Sequence, residues 1–155
     1  MKDTYTVKEA LQMVQHFCAY QERCHKDVEL KLKDINMIPE VILLIINQLI
    51  KDNYLNEERF AKSYARGKFR IKKWGKKRIV RELKLRDISK YNIDSALKEI
   101  DAQNYLETLD ELARKRLANL NESNKFKKKK KLCDYLLYRG WESHLVYEKA
   151  TELID

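Results

Sequence analysis

The sequence is poor in turn-forming residues, with three glycines (Gly67, Gly75 and Gly140) and one proline (Pro39) among 155 residues. This scarcity argues against a β-sandwich or β-barrel, because those folds need many tight turns. Three scattered glycines cannot form a glycine-rich phosphate loop, which excludes a nucleotide-binding enzyme of that kind. Long apolar runs are missing too: the longest covers residues 41–46, whereas a membrane span needs about 20 residues.

Cysteine and histidine are also scarce, with three of each. An odd number of irregularly spaced cysteines predicts no disulfide framework. His16, Cys18, Cys24 and His25 could be considered as zinc ligands, but no CxxC motif supports them, and we expect no metal and no cofactor. No carboxylate pair or nucleophile–base spacing stands out, so we expect a protein that is not an enzyme. The N-terminus lacks the apolar core of a signal peptide, which predicts a soluble, cytoplasmic protein.

Positive charge is concentrated in the middle of the chain. The 33 Lys and Arg residues exceed the 24 Asp and Glu residues, for a formal net charge of +9. Residues 1–58 carry a net charge of −3, residues 59–100 carry +11, and residues 101–155 carry +1. A solvated surface normally mixes both signs. A block this basic is typical of a surface that docks a polyanion or an acidic protein.

The apolar pattern occurs three times along the chain. An offset of 51 residues aligns Val28 with Ile79, and an offset of 53 aligns Ile79 with Leu132, with many other apolar positions matching in the same way. Asn53-Tyr54-Leu55 also recurs at residues 104–106. Each unit is too small to bury its apolar face alone, so neighbouring units must stack. The sequence predicts an all-α fold of three tandem three-helix units in an elongated, curved repeat, with units at residues 1–55, 56–105 and 106–155.

A helix-ending turn is predicted at the same position of each unit. Asn36, Asp87 and Gly140 occupy that position, and these residue types best tolerate the left-handed backbone conformation that ends a helix. A large apolar residue follows each of them, as the hydrophobic contact of a Schellman cap requires.

Capping signals mark several helix starts. Thr6 and Glu9 form a capping-box pattern, Asn56 and Ser89 can cap, and Pro39 suits the first turn of a helix. The predicted helices cover about residues 7–22, 26–35, 39–51, 57–71, 76–86, 90–102, 107–120, 126–139 and 143–154.

The main candidate binding feature is the basic stretch from Arg59 to Arg86, which contains 13 Lys or Arg residues and one acidic residue. Helical spacing places its cations on the outer faces of two helices that flank a basic turn. Trp74, in that turn, is predicted to pack as a hinge residue, with stacking on a base or a partner side chain as the alternative. The predicted partner-binding or DNA-binding residues are Lys62, Arg66, Arg70, Lys72, Lys73, Lys76, Lys77, Arg78, Arg81 and Lys84.

A second basic run begins the eighth predicted helix. Cations are disfavoured at the positive end of a helix dipole, so their presence there favours an anionic ligand. A solvated surface is the alternative. The residues of this second candidate site are Lys127, Lys128, Lys129, Lys130 and Lys131.

The central part of the chain carries a recognisable signature. Residues 54–64 (YLNEERFAKSY), Gly75, Lys77-Arg78-Ile79 and Glu82-Leu83 resemble the pattern of the RecX family of recombinase regulators. The resemblance implies a protein that binds the recombinase RecA and its DNA filament. It also implies inhibition of ATP hydrolysis, strand exchange and co-protease action, and so a role in recombination, DNA repair and the SOS response. The contacts it implies are Arg66, Arg70, Lys72, Lys73, Lys76, Lys77, Arg78 and Arg81.

Two other functions stay open on the sequence. One is a nucleic-acid-binding protein of the helix-turn-helix type, against which the spread of charge over an opening helix and a turn argues. The other is a helical scaffold for unrelated proteins. Whether the basic surface meets RecA or DNA directly is not decided by the residues. We expect a monomer that makes no membrane contact.

Overall fold

The computed structural model describes residues 4–155, and residues 1–3 of the predicted first unit lie outside the described residues. The described chain forms nine α helices and no β strand. They are α1 (Val7–Tyr20), α2 (His25–Asp34), α3 (Pro39–Lys51), α4 (Glu57–Arg70), α5 (Lys76–Leu85), α6 (Lys90–Leu97), α7 (Ala102–Asn119), α8 (Lys125–Tyr138) and α9 (Ser143–Ile154). Within each successive group of three helices, every helix packs on the other two. The predicted all-α repeat is therefore confirmed, and we call the three groups units 1, 2 and 3.

The predicted capping residues begin the helices as expected. The Thr6 hydroxyl accepts a hydrogen bond from the Glu9 N–H at 3.1 Å, and the Glu9 carboxylate accepts one from the Thr6 N–H at 2.9 Å. The side chains of Asn56 and Ser89 cap α4 and α6, and Pro39 is the first residue of α3. Each cap satisfies a backbone N–H that has no partner inside the helix.

The repeated turn also has the predicted conformation. Asn36, Asp87 and Gly140 have φ values of 64°, 60° and 91°. The N–H of the apolar residue that follows donates back across the turn in all three units, to the carbonyls of Leu32, Leu83 and Leu136, as in a Schellman cap. Asn53 and Lys73 have the same left-handed conformation after α3 and α4, a feature that the sequence analysis did not predict.

The boundary between α6 and α7 differs from the prediction. Helix α6 ends at Leu97 rather than near residue 102, and α7 begins at Ala102 rather than near residue 107. The reason is Asp101, whose carboxylate accepts a hydrogen bond from the Asn104 N–H at 2.8 Å and caps α7. The recurring Asn-Tyr-Leu is consequently not equivalent in structure, since residues 53–55 form a turn and residues 104–106 are helical.

Two hydrophobic cores underlie the three units. One lies within unit 1, and the other is shared by units 2 and 3 and also includes Cys24, which precedes α2. The aligned apolar positions of the middle helices are all fully buried, namely Val28, Leu32, Ile79, Leu83, Leu132 and Leu136. The unit boundaries after residues 55 and 105 stay predictions, and residue 105 lies within the first turn of α7.

The middle helices of successive units meet end to end. At the first joint, between units 1 and 2, the Lys26 Nζ at the start of α2 donates to the Leu85 carbonyl at the end of α5, at 3.1 Å. At the second joint, between units 2 and 3, the Gly75 N–H before α5 donates to the Arg139 carbonyl after α8, at 2.9 Å. The N-terminal end of α2 thus faces the C-terminal end of α5. In the same way, the N-terminal end of α5 faces the C-terminal end of α8.

Asp110 ties α7 to α9, which makes the stability of unit 3 depend on pH. Its carboxylate accepts hydrogen bonds from Lys149 at 3.0 Å and Arg114 at 2.9 Å, and these bonds hold the pKa of Asp110 below its usual range. A carboxyl with a lowered pKa in the folded state stabilises the fold above its usual pKa. It loses that contribution as the pH falls through the lowered value.

We therefore expect Asp110→Asn to lower the free energy of unfolding by about 1 kcal/mol at neutral pH. The difference from the unchanged protein should shrink as the pH falls through the lowered pKa of Asp110, because the protonated carboxyl, like the amide of asparagine, carries no charge. Urea unfolding at neutral and at acidic pH measures this. Asp134→Asn is the matched control, because among residues 4–155 Asp134 pairs only with Lys130, on an exposed surface. An equal loss of stability in both variants would contradict the role given to the hydrogen bonds of Asp110.

Candidate partner-binding site

Two of the three glycines form the second joint. A Cβ atom on Gly75 would lie 2.4 Å from the carbonyl oxygen of Gly140, and a Cβ atom on Gly140 would lie 2.2 Å from the Cβ of Arg78. Such distances are far below van der Waals contact, so backbone meets backbone here without room for a side chain. The turn between α4 and α5, which carries much of the positive charge, is therefore fixed against unit 3.

An aromatic pair fills the joint behind these glycines. Trp141 has no exposed surface, and its ring stacks on Tyr105 with the ring centres 4.4 Å apart. The indole N–H of Trp141 donates to the Lys73 carbonyl at 3.1 Å. The Tyr105 hydroxyl donates to Glu142 and accepts from the Lys76 N–H at 2.8 Å. Burial, followed by the hydrogen bond to Glu142, raises the pKa of Tyr105, so its hydroxyl stays protonated.

Trp74 lies in the basic turn and is half-buried against the shared core. Its ring centre is 6.4 Å from that of Tyr64, and the Arg78 guanidinium lies over it at 4.2 Å. The Lys68 ammonium lies 5.1 Å from the same ring centre. These contacts agree with the predicted hinge packing of Trp74 and occupy the ring with cations of the chain itself.

The ten predicted cations divide into two groups. Four are engaged within the chain: Lys62 pairs with Glu58 at 2.9 Å, Arg66 pairs with Glu99 at 2.8 Å, Lys76 lies over Tyr105, and Arg78 stacks on Trp74. The other six are exposed, and their side chains make no ion pair or hydrogen bond with any of residues 4–155. We call them the open cations: Arg70, Lys72, Lys73, Lys77, Arg81 and Lys84.

Two arginines of unit 3, which are not among the ten predicted cations, extend this cationic surface. The guanidinium groups of Arg116 and Arg139 lie 4.7 and 4.8 Å from the ring centre of Tyr135. Arg139 also donates to the Lys72 carbonyl at 2.8 Å, which brings it to the basic turn. No local sequence pattern indicates the aromatic partner of either arginine.

Arg78, Arg116 and Arg139 form a group that we call the joint arginines. None of them pairs with a carboxylate among the residues that the structure describes. The Nε atoms of Arg78 and Arg116 are buried and have no hydrogen-bond partner in the described chain. Guanidinium groups that lie over aromatic rings and have no carboxylate partner are suited to carboxylate or phosphate oxygens through their terminal N–H groups.

The second predicted basic site is largely neutralised within unit 3. Lys129 pairs with Asp155 at 3.0 Å, Lys130 pairs with Asp134 at 2.7 Å, and Lys131 pairs with Glu122 at 3.0 Å. Only Lys127 and Lys128 of the five lysines make no ion pair with a described residue. The site stays a prediction, but it offers an anion fewer unpaired charges than unit 2 does.

The three cysteines are buried thiols. Burial raises the pKa of the Cys24 thiol to about 11, so it stays protonated at neutral pH and is a poor nucleophile. Within residues 4–155, no group of three or more His, Cys, Asp or Glu side chains is placed to hold a metal ion. Over the same range, no helix is both long enough and apolar enough to cross a membrane.

The described chain is a tandem three-helix repeat with a cationic surface across one joint, which places it among the all-α helical-repeat proteins. Comparison with known families makes this specific. The family model described as the second three-helix domain of RecX matches residues 56–97, and that of the third three-helix domain matches residues 103–149. The chain belongs to the RecX family.

Individual relatives agree with this membership. "Regulatory protein RecX" of Clostridium acetobutylicum is 32% identical over 137 residues, which are 86% of this chain and 63% of the relative. The protein of the same name from Listeria welshimeri is 25% identical over 152 residues, which are 98% of this chain and 56% of the relative. The chain thus spans between about half and two thirds of the length of these relatives, both of which are named as regulatory proteins.

Solved structures share the fold. The crystal structure of RecX from Lactobacillus salivarius superimposes with a TM-score of 0.81 at 25% identity, covering 95% of this chain and 96% of that one. Another crystal structure, of a regulatory protein RecX, gives a TM-score of 0.84 at 24% identity, covering 94% of this chain and 73% of that one.

Proposed function

We propose that the protein binds RecA and its nucleoprotein filament and inhibits recombinase activity. The activities it would restrain are ATP hydrolysis, strand exchange and co-protease action, and through them DNA repair and the SOS response in the cytoplasm. The observation that carries the proposal is the set of six open cations in a chain of the RecX family. The proposal assigns no catalytic step to the chain, which acts by binding alone.

The open cations explain how such binding would work physically. Ionic side chains without internal partners lose no existing salt bridge when they meet an acidic surface. Arg70, Lys72 and Lys73 lie where α4 ends, and Lys77, Arg81 and Lys84 follow one face of α5. These six cations could contact carboxylates of a protein or phosphates of a filament. The joint arginines would extend the same contact surface into unit 3.

Direct binding to nucleic acid is the second candidate function. It is favoured by the joint arginines, none of which pairs with a carboxylate of the described residues, because guanidinium groups suit phosphate oxygens. A helix-turn-helix mode of DNA binding is less well supported. In that mode α6, the third helix of unit 2, would be the recognition helix. The only cation within that helix, Lys90, is paired with Asp94 at 3.6 Å. A steep salt dependence of DNA binding without recombinase would favour this second function.

ATP hydrolysis by RecA on single-stranded DNA tests the proposed function. Adding the protein at about one copy per recombinase subunit or less should reduce the rate strongly, since a bound regulator changes the filament that hydrolyses ATP. Heat-denatured protein at the same concentration is the control for added charge. An unchanged rate over the whole titration would contradict the proposal.

A further inference from the structure

A cleft of about 510 Å³ lies at the first joint, between units 1 and 2. Unit 1 contributes Phe17, Arg23 and Asp27 to its lining, among others, and unit 2 contributes Tyr64 and Lys68. None of the open cations and none of the joint arginines lines it. The cleft is therefore separate from the basic surface described above, and it lies at the other joint.

Two cations of the cleft carry a charge that the chain does not neutralise. The Nε of Arg23 donates to the Phe17 carbonyl at 3.0 Å, and the guanidinium lies 3.7 Å over the Phe17 ring. The ammonium of Lys68, on α4, lies 5.4 Å from the ring centre of Tyr64. Neither cation pairs with a carboxylate of residues 4–155. We call Arg23 and Lys68 the cleft cations. The rings position them and leave N–H groups that can donate to an oxyanion.

The acidic side chains of the cleft are engaged by other groups. Glu22 pairs with Arg59, which does not line the cleft. Asp27 accepts a hydrogen bond from the Cys24 N–H at 3.1 Å and lies in the first turn of α2, where the helix dipole favours a negative charge. Arg86, the remaining cation of the lining, is paired with a glutamate of α5. The charge of the cleft cations is thus left for a ligand, and it suits an anionic group.

The cleft is suited to a peptide carboxylate rather than to a nucleic acid. The rings of Phe17 and Tyr64 each have two cations of the chain over them, which leaves a base little aromatic surface for stacking. Glu22 and Asp27 would repel a row of phosphates. The same two carboxylates can accept hydrogen bonds from the amide N–H groups of a peptide. A cleft with charges of both signs therefore matches a segment in which a carboxylate stands among amide groups.

We propose that the cleft at the first joint binds an acidic peptide segment of a protein partner, one of whose carboxylates accepts hydrogen bonds from Arg23 and Lys68. This goes beyond the proposed function, because it assigns a second contact site and does not require the partner to be RecA. The cleft cations belong to different units, so a bound carboxylate would also bridge units 1 and 2.

A fluorescent peptide of alternating glutamate and alanine, followed by anisotropy, tests the proposal, with a glutamine–alanine peptide as the neutral control ligand. Lys68→Gln should weaken binding of the acidic peptide by about tenfold or more, the effect of losing a hydrogen bond between charged groups. The fold should survive, because Lys68 makes no hydrogen bond within the described chain. Circular dichroism checks this.

Lys31→Gln is the matched control. Lys31 is half-buried like Lys68 and lies 5.4 Å from the ring centre of Phe17, but it does not line the cleft. This variant loses the same charge and should bind the peptide within about twofold of the unchanged protein. Amide shifts of ¹⁵N-labelled protein locate the peptide: those of Gln21 and Ser63, which line the cleft, should move on binding.

Four results would overturn the proposal. The first is no binding of the acidic peptide to the unchanged protein at about 1 mM, and the second is equal weakening by Lys68→Gln and Lys31→Gln. The third is a peptide that moves the amide signals of the open cations and not those of the cleft. The fourth is a single-stranded oligonucleotide that moves the cleft signals where the peptide does not, which would make the cleft a nucleic-acid contact. The proposed function is unaffected by each result, since no recombinase is present.

Discussion

Replacing Gly140 with alanine is expected to lower the free energy of unfolding by about 2–5 kcal/mol, combining left-handed backbone strain with a steric clash. Gly140 has a φ of +91°, where a Cβ atom is strained whatever space surrounds it. The added atom would also lie 2.2 Å from the Cβ of Arg78 and 2.5 Å from its backbone nitrogen. Because backbone and Cβ atoms cannot rotate away, the second joint must open to accept it.

Thermal or urea unfolding, followed by circular dichroism, measures this loss. Gly75→Ala should also destabilise, because its Cβ atom would lie 2.4 Å from the Gly140 oxygen across the same joint. Gly67→Ala is the control, since a Cβ atom there meets nothing within 4 Å and the residue is inside α4. That variant should be neutral or more stable by up to about 1 kcal/mol. Equal stabilities of the Gly140 and Gly67 variants would refute the packing of the joint.

Reversing four open cations should weaken binding to the RecA filament by about 100-fold or more, given the size of electrostatic effects on association. The variant carries Lys72→Glu, Lys77→Glu, Arg81→Glu and Lys84→Glu. All four side chains are exposed and unpaired within the described chain, so the fold should survive. Lys76 is left unchanged because it lies 4.7 Å over the Tyr105 ring in the joint. Loss of inhibition in the RecA ATP hydrolysis assay is the readout.

A second variant with the same net charge distinguishes the effect of where the cations lie from the effect of the protein's total charge. Lys125, Lys127, Lys128 and Lys130 of α8 are changed to glutamate, which removes the same charge from unit 3. We expect this variant to keep most of its inhibition, because the affinity is assigned to unit 2. If both variants lost inhibition equally, the local surface would not be the determinant. Measuring the salt slope on DNA alone for each variant also reports whether phosphates are the contact.

The local features of the fold were accessible from the sequence. Asn36, Asp87 and Gly140 mark the repeated turn because only a few residue types tolerate positive φ, and Thr6 and Ser89 mark helix starts because their side chains accept backbone hydrogen bonds. Both signals act within a few residues. The predicted end of α6 was wrong because the helical spacing of apolar residues continues past Leu97 to Ile100. Asp101 nevertheless caps the start of α7.

The joint could not be predicted in the same way, because its contacts are distant in sequence. Arg139 meets Lys72 across 67 residues, and Trp141 meets Lys73 across 68. Charge density did locate the basic turn. The pair of Lys62 with Glu58 has i,i+4 spacing within α4 and was accessible from the sequence. The pair of Arg66 with Glu99, 33 residues away, and the place of Arg116 in the surface were not accessible. Both depend on tertiary packing, which residue spacing does not contain.

The end-to-end meeting of α2, α5 and α8 gives the molecule a direction. The amino ends of α2 and α5 point at the carboxyl ends of α5 and α8, so the two ends of the row are chemically different and the row has no twofold symmetry. A nucleic acid strand also has a direction, from 5′ to 3′. If the chain binds along a filament built on such a strand, as proposed, its two possible orientations differ in energy, and a single polarity of binding is expected.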